Sequence, residues 1–314
     1  MSDHQPLHTI LGAGGVVANE LAAELARTRQ RVRLVGRQPK ALGPASAVVA
    51  ADLTNPQQTI DAVAGSSIVY LLVGLKYDRR IWARDWPLIM RNVIAACQQA
   101  GARLIFFDNI YMYGRVAGPL TEATPFNPCS RKGEIRAAIA TTLLDEMKAG
   151  RITAAIARSA DFYGPGTGNS TIKQLVFDKF AAGGKASWLV NDSVRYSLTF
   201  TPDAGKSLAL LAGSPLTWGQ TWHVPTCSAP LTARDFIALA AQAFGVPPRH
   251  GILSRPMIRL AGIFVPTIRE SYEMLYQYDS DYIFDSSKFA QAFAFTPTPY
   301  AEGARITAAS YRQG

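Results

Sequence analysis

A chain of 314 residues, 48% of them hydrophobic and 18% charged, can bury a sizeable core and leaves little room for long disorder. Its net charge of +9 raises nucleic acid or a membrane surface as partners. It carries no dense Lys/Arg run and no basic helix with interleaved aromatics, so we read the charge as scattered surface arginines plus a cationic pocket for an anionic cofactor.

In chain order, the opening MSDHQPLHTI lacks the charged-then-apolar layout of a signal peptide. A short apolar strand, His8 to Leu11, runs into glycines and then into ANELAAELART, where Leu21, Ala22 and Leu25 fall at helical spacing. RVRLVG (31–36) alternates as a strand, and Ala47 to Ala50 is another short apolar run. SIVYLLV (67–73) is the continuous run expected of a strand buried on both faces. A helix over about 81–100 ends at Gly101, and RLIFF (103–107) is the next buried strand. Lys132 to Lys148 reads as a helix ending at Gly150, and Ile152 to Ala157 as one more strand. This alternation argues for a parallel sheet covered on both faces. Beyond about Tyr163, Gly and Pro become dense, and isolated pieces such as Ser197–Phe200 and Thr221–Val224 predict a smaller lobe rather than more of the sheet. No stretch reaches membrane-spanning length without charges. Cys97, Cys129 and Cys227 lack a CxxC pair, and His4, His8, His223 and His250 are dispersed, so neither a disulfide framework nor a metal site is expected. A reducing cytoplasm fits this usage.

The first chemical motif is Gly12-Ala13-Gly14-Gly15-Val16-Val17-Ala18, set between a strand and a helix. Glycine suits a turn that takes positive φ and lets backbone approach a pyrophosphate, while the helix aims free N–H groups at it. The spacing is read as GxxGxxA on Gly12, Gly15 and Ala18, with Gly14 and Val16 also against the cofactor. This is the turn of a Rossmann-type dinucleotide domain. At the end of the next strand, where an NAD site places a carboxylate, stand Gly36 and Arg37, with Lys40 behind. A guanidinium pairs with a ribose 2′-phosphate that a carboxylate would repel, so NADP(H) is the expected cofactor. Asp52-Leu53 suits an adenine-edge contact and Val73-Gly74 close passage of the adenosine ribose.

These features, with Asn92, the block FFDNIYMYG (106–114), RSADFYGPG (158–166), TPDAGKSLALLA (201–212) and FDSSKFAQAFAFTPTP near the C-terminus, resemble the extended and atypical short-chain dehydrogenase/reductases, the epimerase/dehydratase group. The resemblance implies an α/β fold: a Rossmann-type doubly wound parallel sheet over residues 1–162 and a small α+β substrate lobe over most of 163–314. The chain is allowed to cross back, and the site lies in the cleft between the two. Phe162 becomes a further cofactor contact. The resemblance also implies a homodimer through the helices from about Ile81 and Lys132, where Trp82, Trp86 and Ile89 stand as candidate interface residues or as core.

The departures bear on catalysis. Asn109 replaces a family Ser or Thr; it donates a hydrogen bond but relays no proton. The family's YxxxK aligns with Pro128-Cys129-Ser130-Arg131-Lys132, which keeps the lysine as a ribose ligand and loses the tyrosine. Tyr111 is the leading surrogate acid, with packing in the pocket wall as its other reading, and Asp108 and Tyr163 stand as outsiders. Tyr113 reads as structural. Asp161 replaces a family Asn that faces a diphosphate, which argues against a nucleotide-sugar substrate. The expected function is an NADP(H)-dependent oxidoreductase or epimerase-like enzyme on a small carbonyl or hydroxyl compound, with Asn109, Tyr111 and Lys132 as its catalytic set. The alternative is an NADP(H)-binding sensor that has abandoned catalysis.

Overall fold

The computed structural model describes residues 5–42, 46–168 and 170–312; His4, in the opening MSDHQPLHTI, and Asn169, in the Gly/Pro-dense stretch, lie outside these. The apolar runs become β1 (Leu7–Leu11), β2 (Arg31–Gly36), β3 (Ser46–Ala50), β4 (Ile68–Leu71), β5 (Arg103–Asp108) and β6 (Ala154–Arg158). With β7 (Thr221–His223) they form a seven-stranded parallel sheet in the order β7-β6-β5-β4-β1-β2-β3. Ile10 lies opposite Leu34 on one side and Tyr70 on the other, so β1 is the pivot from which the strand order runs both ways. Helices α1 (Val16–Arg27), α2 (Pro56–Val63), α3 (Arg79–Ala100), α4 (Arg131–Lys148) and α5 (Thr201–Gly213) accompany the strands. Alternating layers of this kind are what continuous apolar strands require, because each strand must be covered twice.

Local chemistry sets the helix ends. Asn55 caps α2 by accepting from the Gln58 N–H at 3.1 Å, and Asp78 caps α3 through the Arg80 and Ile81 N–H groups. Gly101 closes α3 at φ +64°, a left-handed position that a side chain would strain. Trp82, Trp86 and Ile89 on α3 are all buried within the chain's own fold, so they are core and not a prepared interface. The expectation of full coverage fails at β3: it is the sheet edge, and Val48 is 46% exposed.

The chain divides into two compact units, each assembled from three segments. The first holds Met1–Met112, Lys132–Arg158 and Ala204–Trp222; the second holds Tyr113–Arg131, Ser159–Asp203 and His223–Gly314. Here the sequence expectation for Thr221–Val224 is corrected. Thr221–His223 is the seventh strand of the main sheet, with the Ile156 N–H donating to the Gln220 carbonyl at 3.1 Å, and Thr221 and Trp222 count with the first unit. An edge strand of three residues carries too little apolar periodicity to declare which sheet it joins.

Within the second unit, Asp161–Tyr163 pairs in parallel with Leu198–Phe200, and Ala186–Leu189 with His250–Leu253. Tyr113 is fully buried there and shares a 2.7 Å bond with His223 Nε2, while His223 Nδ1 stands 2.7 Å from the Asp285 carbonyl. That carbonyl accepts only, so Nδ1 carries the proton and Tyr113 Oη donates to Nε2. Among the described residues, no helix is long and apolar enough to cross a membrane.

Candidate functional site

Beyond the C-terminal end of β1 the chain must turn sharply to enter α1. The Gly12 and Ala13 N–H groups both donate to the Val35 carbonyl at 2.9 Å, tucking the turn against β2. Gly12 has φ +108°, and a Cβ there would lie 2.7 Å from the Leu72 carbonyl carbon and 2.8 Å from the Val73 nitrogen, so no side chain fits. Gly14 has φ +93° with nothing within 4 Å of a Cβ, leaving open space above the turn. Gly15 is extended and serves as N-cap of α1, with no side-chain cap bond, and Ala18 is buried. The positive-φ pair is therefore Gly12 and Gly14, whereas Gly15 takes a negative φ and leaves the cap of α1 without a side-chain bond. The first N–H groups of a helix lack intrahelical partners, so this end, carrying Val16 and without a side-chain cap, leaves donors of the kind an anion accepts from.

The rim of the next strands holds the residues expected to choose the cofactor. Arg37 and Lys40 are exposed just past β2. Asp52 Oδ1 accepts from both the Thr54 N–H at 2.9 Å and the Thr54 hydroxyl at 2.8 Å, and these bonds, then the charge of Arg37, hold its carboxyl below the ordinary range. Leu53 is buried, and its carbonyl accepts from Asn92 Nδ2 at 2.9 Å, which explains the conspicuous asparagine inside α3 as a tie to this loop. Past β4, Val73 is half-buried and Gly74 exposed, again with nothing within 4 Å of a Cβ. The chain itself needs no glycine at Gly74, so the space there is available to a ligand.

The third cluster lies past β4 and β5 and on the first turn of α4. Lys132 is fully buried, and its Nζ sits 4.5 Å from the ring centroid of Tyr77, a half-buried residue of the β4–α3 loop. Tyr77 meets Trp82 edge-on at 5.5 Å, and Trp82 stacks on Tyr111 at 6.3 Å with 12° between the planes. The Trp82 Nε1–H donates to the Lys76 carbonyl at 3.0 Å, which fixes the indole. Asn109 Oδ1 accepts from the Tyr111 N–H at 3.1 Å, so the carbonyl end of its amide is engaged and the other end is a pure donor.

Asp108 is inaccessible and serves as an acceptor. Its Oδ1 takes hydrogen bonds from Arg136 Nε at 2.7 Å, from Arg136 Nη2, and from the Asn109 N–H at 2.8 Å. The Arg136 guanidinium also lies 4.3 Å over the Trp86 ring, one helical turn beyond Lys132. One buried ion pair thus ties the end of β5 to α4, and Asp108 is spent on that tie rather than on proton donation.

Sequence reasoning missed Tyr77 because a contact between Lys132 and a loop residue so far away in the chain has no short motif. The usable signal was its position past the C-terminal end of a parallel strand, where open α/β sheets bind ligands. The remaining expected residues lie in the second unit. Phe162 is half-buried, and its carbonyl accepts from the Ser170 hydroxyl at 2.6 Å. Asp161 accepts from Tyr196 Oη at 2.8 Å and Tyr278 Oη at 3.3 Å, and burial raises its carboxyl above the ordinary value. Tyr163 is sealed among Phe200, Phe236 and Tyr300, and burial pushes its phenol up, so it is no proton donor. Among the described residues there is no cluster of His, Cys, Asp and Glu that could hold a metal.

The model of the NAD dependent epimerase/dehydratase family matches residues 8–214. Three solved structures share the fold over nearly the whole chain. One is gox2253, with TM-score 0.81 and 17% identity over 99% of this chain and 98% of its own. UDP-glucose 4-epimerase of Thermus thermophilus, solved with NAD, has TM-score 0.78 and 16% identity over 98% and 99% of the two chains. DesIV, a dTDP-glucose 4,6-dehydratase from Streptomyces venezuelae solved with NAD and TYD bound, has TM-score 0.78 and 15% identity over 98% and 97%. No curated protein matches the chain in sequence.

Proposed function

This chain belongs to the NAD dependent epimerase/dehydratase family, and from that premise we propose that it is an NADP(H)-dependent oxidoreductase acting on a small carbonyl or hydroxyl compound. The observation that carries the reading is the uncapped N-terminus of α1 above Gly12, Gly14 and Gly15, beside the strand from which the sheet order runs both ways. Similar structures solved with NAD add support for a nicotinamide dinucleotide. Residues 1–162 carry the cofactor role and 163–314 mainly the substrate role.

In this reading the diphosphate rests on the turn and on the Val16 end of α1. Arg37 takes the 2′-phosphate; Asp52, its oxygen already committed to Thr54, and the Leu53 backbone border the adenine. Val73 and Gly74 flank the adenosine ribose, and Phe162 lines the nicotinamide end. Lys132 holds the nicotinamide ribose hydroxyls, a task suited to a buried cation. The bound cofactor supplies or accepts a hydride. Asn109 points its amide donor at the substrate oxygen and polarises it, and Tyr111, laid along Trp82, forms the wall beside it. Asp161, a half-buried carboxylate held by two phenols, offers nothing to a diphosphate, so a nucleotide sugar is the disfavoured substrate. A homodimer through α3 and α4 would have to use their exposed residues, since Trp82, Trp86 and Ile89 are already spent in the core. The protein works in a reducing, cytoplasmic setting.

The test is NADPH oxidation by the purified protein with a panel of aldehydes, ketones and quinones. We expect turnover that Lys132→Ala lowers by about 100-fold or more while the protein stays folded. Tight binding with no turnover across the panel would replace this reading with a cofactor sensor.

A further inference from the structure

Reducing a carbonyl needs a proton at its oxygen as well as a hydride at its carbon, and Asn109 cannot relay one. The first unit contains three tyrosines, Tyr70, Tyr77 and Tyr111. Tyr70 is fully buried within the sheet, where it shares a 2.8 Å bond with His8, and burial pushes its phenol up. Tyr111 lies flat along Trp82, with the indole against its ring. Tyr77 combines a half-buried ring with a buried ammonium on its face, Lys132 Nζ at 4.5 Å.

We propose that Tyr77, paired with Lys132, is the proton-donating catalytic residue of the site. The inference rests on the oxidoreductase reading above and deepens it. A tyrosinate spreads its negative charge into the ring, so a cation over the ring face stabilises the tyrosinate more than the neutral phenol. Burial of Lys132 concentrates that effect, because water does not screen the ammonium. The other charged groups nearest Tyr77 in the chain are Lys76, Asp78, Arg79 and Arg80; the Asp78 carboxylate is occupied capping α3 through the Arg80 and Ile81 N–H groups, which draws its charge to the helix end. In the reductive direction, Tyr77 Oη gives its proton to the carbonyl oxygen, and the carbonyl carbon takes the nicotinamide's hydride. The C=O bond becomes CH–OH, and water returns a proton to the tyrosinate.

The decisive readout needs no turnover. Near-ultraviolet tyrosinate absorbance is titrated in the wild-type protein and in Tyr77→Phe, Tyr111→Phe and Lys132→Met, with no nucleotide present. Burial pushes the phenols of Tyr70, Tyr163, Tyr196, Tyr282 and Tyr300 up, and the signal of the tyrosines common to both proteins cancels in each wild-type-minus-variant difference. The one-tyrosine signal lost in Tyr77→Phe should appear about one pH unit or more below the signal lost in Tyr111→Phe, and should move up in Lys132→Met. Equal titration of the two, or a Tyr77 signal indifferent to Lys132→Met, overturns the proposal. In a second arm, with NADPH and benzaldehyde or cyclohexanone as probes, Tyr77→Phe should lower kcat about 100-fold with NADPH affinity kept. A Tyr77→Phe protein with undiminished kcat also overturns it. Wild-type protein that shows the Lys132-dependent titration but reduces neither probe counts against the carbonyl-reductase reading and in favour of the pairing.

Discussion

At Arg37 the exposed guanidinium stands beside Asp52, whose carboxylate oxygen is already committed to Thr54, so the arginine remains available to a second anion. A charge-assisted pair with a 2′-phosphate contributes about 2–3 kcal/mol, and a carboxylate in its place adds repulsion. Arg37→Asp should therefore lower NADPH affinity about 100-fold while leaving NADH affinity nearly unchanged, as read by parallel fluorescence titrations. Equal NADPH affinity in wild type and variant would sink the 2′-phosphate role. The glycine turn was legible from residue type and spacing alone, because backbone approach is a local property. The contact between Tyr77 and Lys132 was not, since only the packing of α4 against the β4–α3 loop brings the two together.

Between elements, two contacts make sharp predictions. His8 on β1 and Tyr70 on β4 share a buried 2.8 Å bond, and burial lowers the His8 pKa to about 4, with Gln30 raising it and Arg103 lowering it further. An unfolded histidine titrates near 6.5, so between roughly pH 6.5 and 4 the unfolded chain binds more protons than the native one. Stability is then intact above that window and falls as the pH drops through it. Denaturant melts across this range should show a shallower acid slope in His8→Gln; parallel slopes would mean His8 contributes nothing. At the second contact, a Cβ on Gly205 of α5 would lie 2.6 Å from Glu20 Cβ and 2.7 Å from the Glu20 carbonyl carbon of α1. Gly205→Ala should therefore destabilise the protein by about 1–3 kcal/mol despite its better helix propensity, visible as a lower Tm. An unchanged Tm would show that the two helices separate at no cost. Six strands of the sheet could be read from their apolar runs, because β1, β2, β4, β5 and β6 are buried in long enough stretches and β3 follows in register. The seventh, Thr221–His223, reads as a strand-like piece, but its place in this sheet does not, since its pairing with β6 joins distant segments of chain.

For the molecule as a whole, the alternation of strands and helices announced the fold class, but not that each unit is built from three separate stretches of chain. A break after residue 162 is what composition suggests, since Gly and Pro thicken there. The returns of Ala204–Trp222 and Lys132–Arg158 to the first unit follow from packing, which composition does not record. The net charge of +9 gains a local meaning where Lys132 and Arg136 lie buried on the first turns of α4, with the Asp108 carboxylate bonded between α4 and β5. The measurement that bears most directly on the account is a side-by-side titration of the full chain with NADPH and NADH, followed by tryptophan fluorescence. The account predicts saturable binding of both, with NADPH tighter by about 10-fold or more. Saturable binding of neither nucleotide would contradict it.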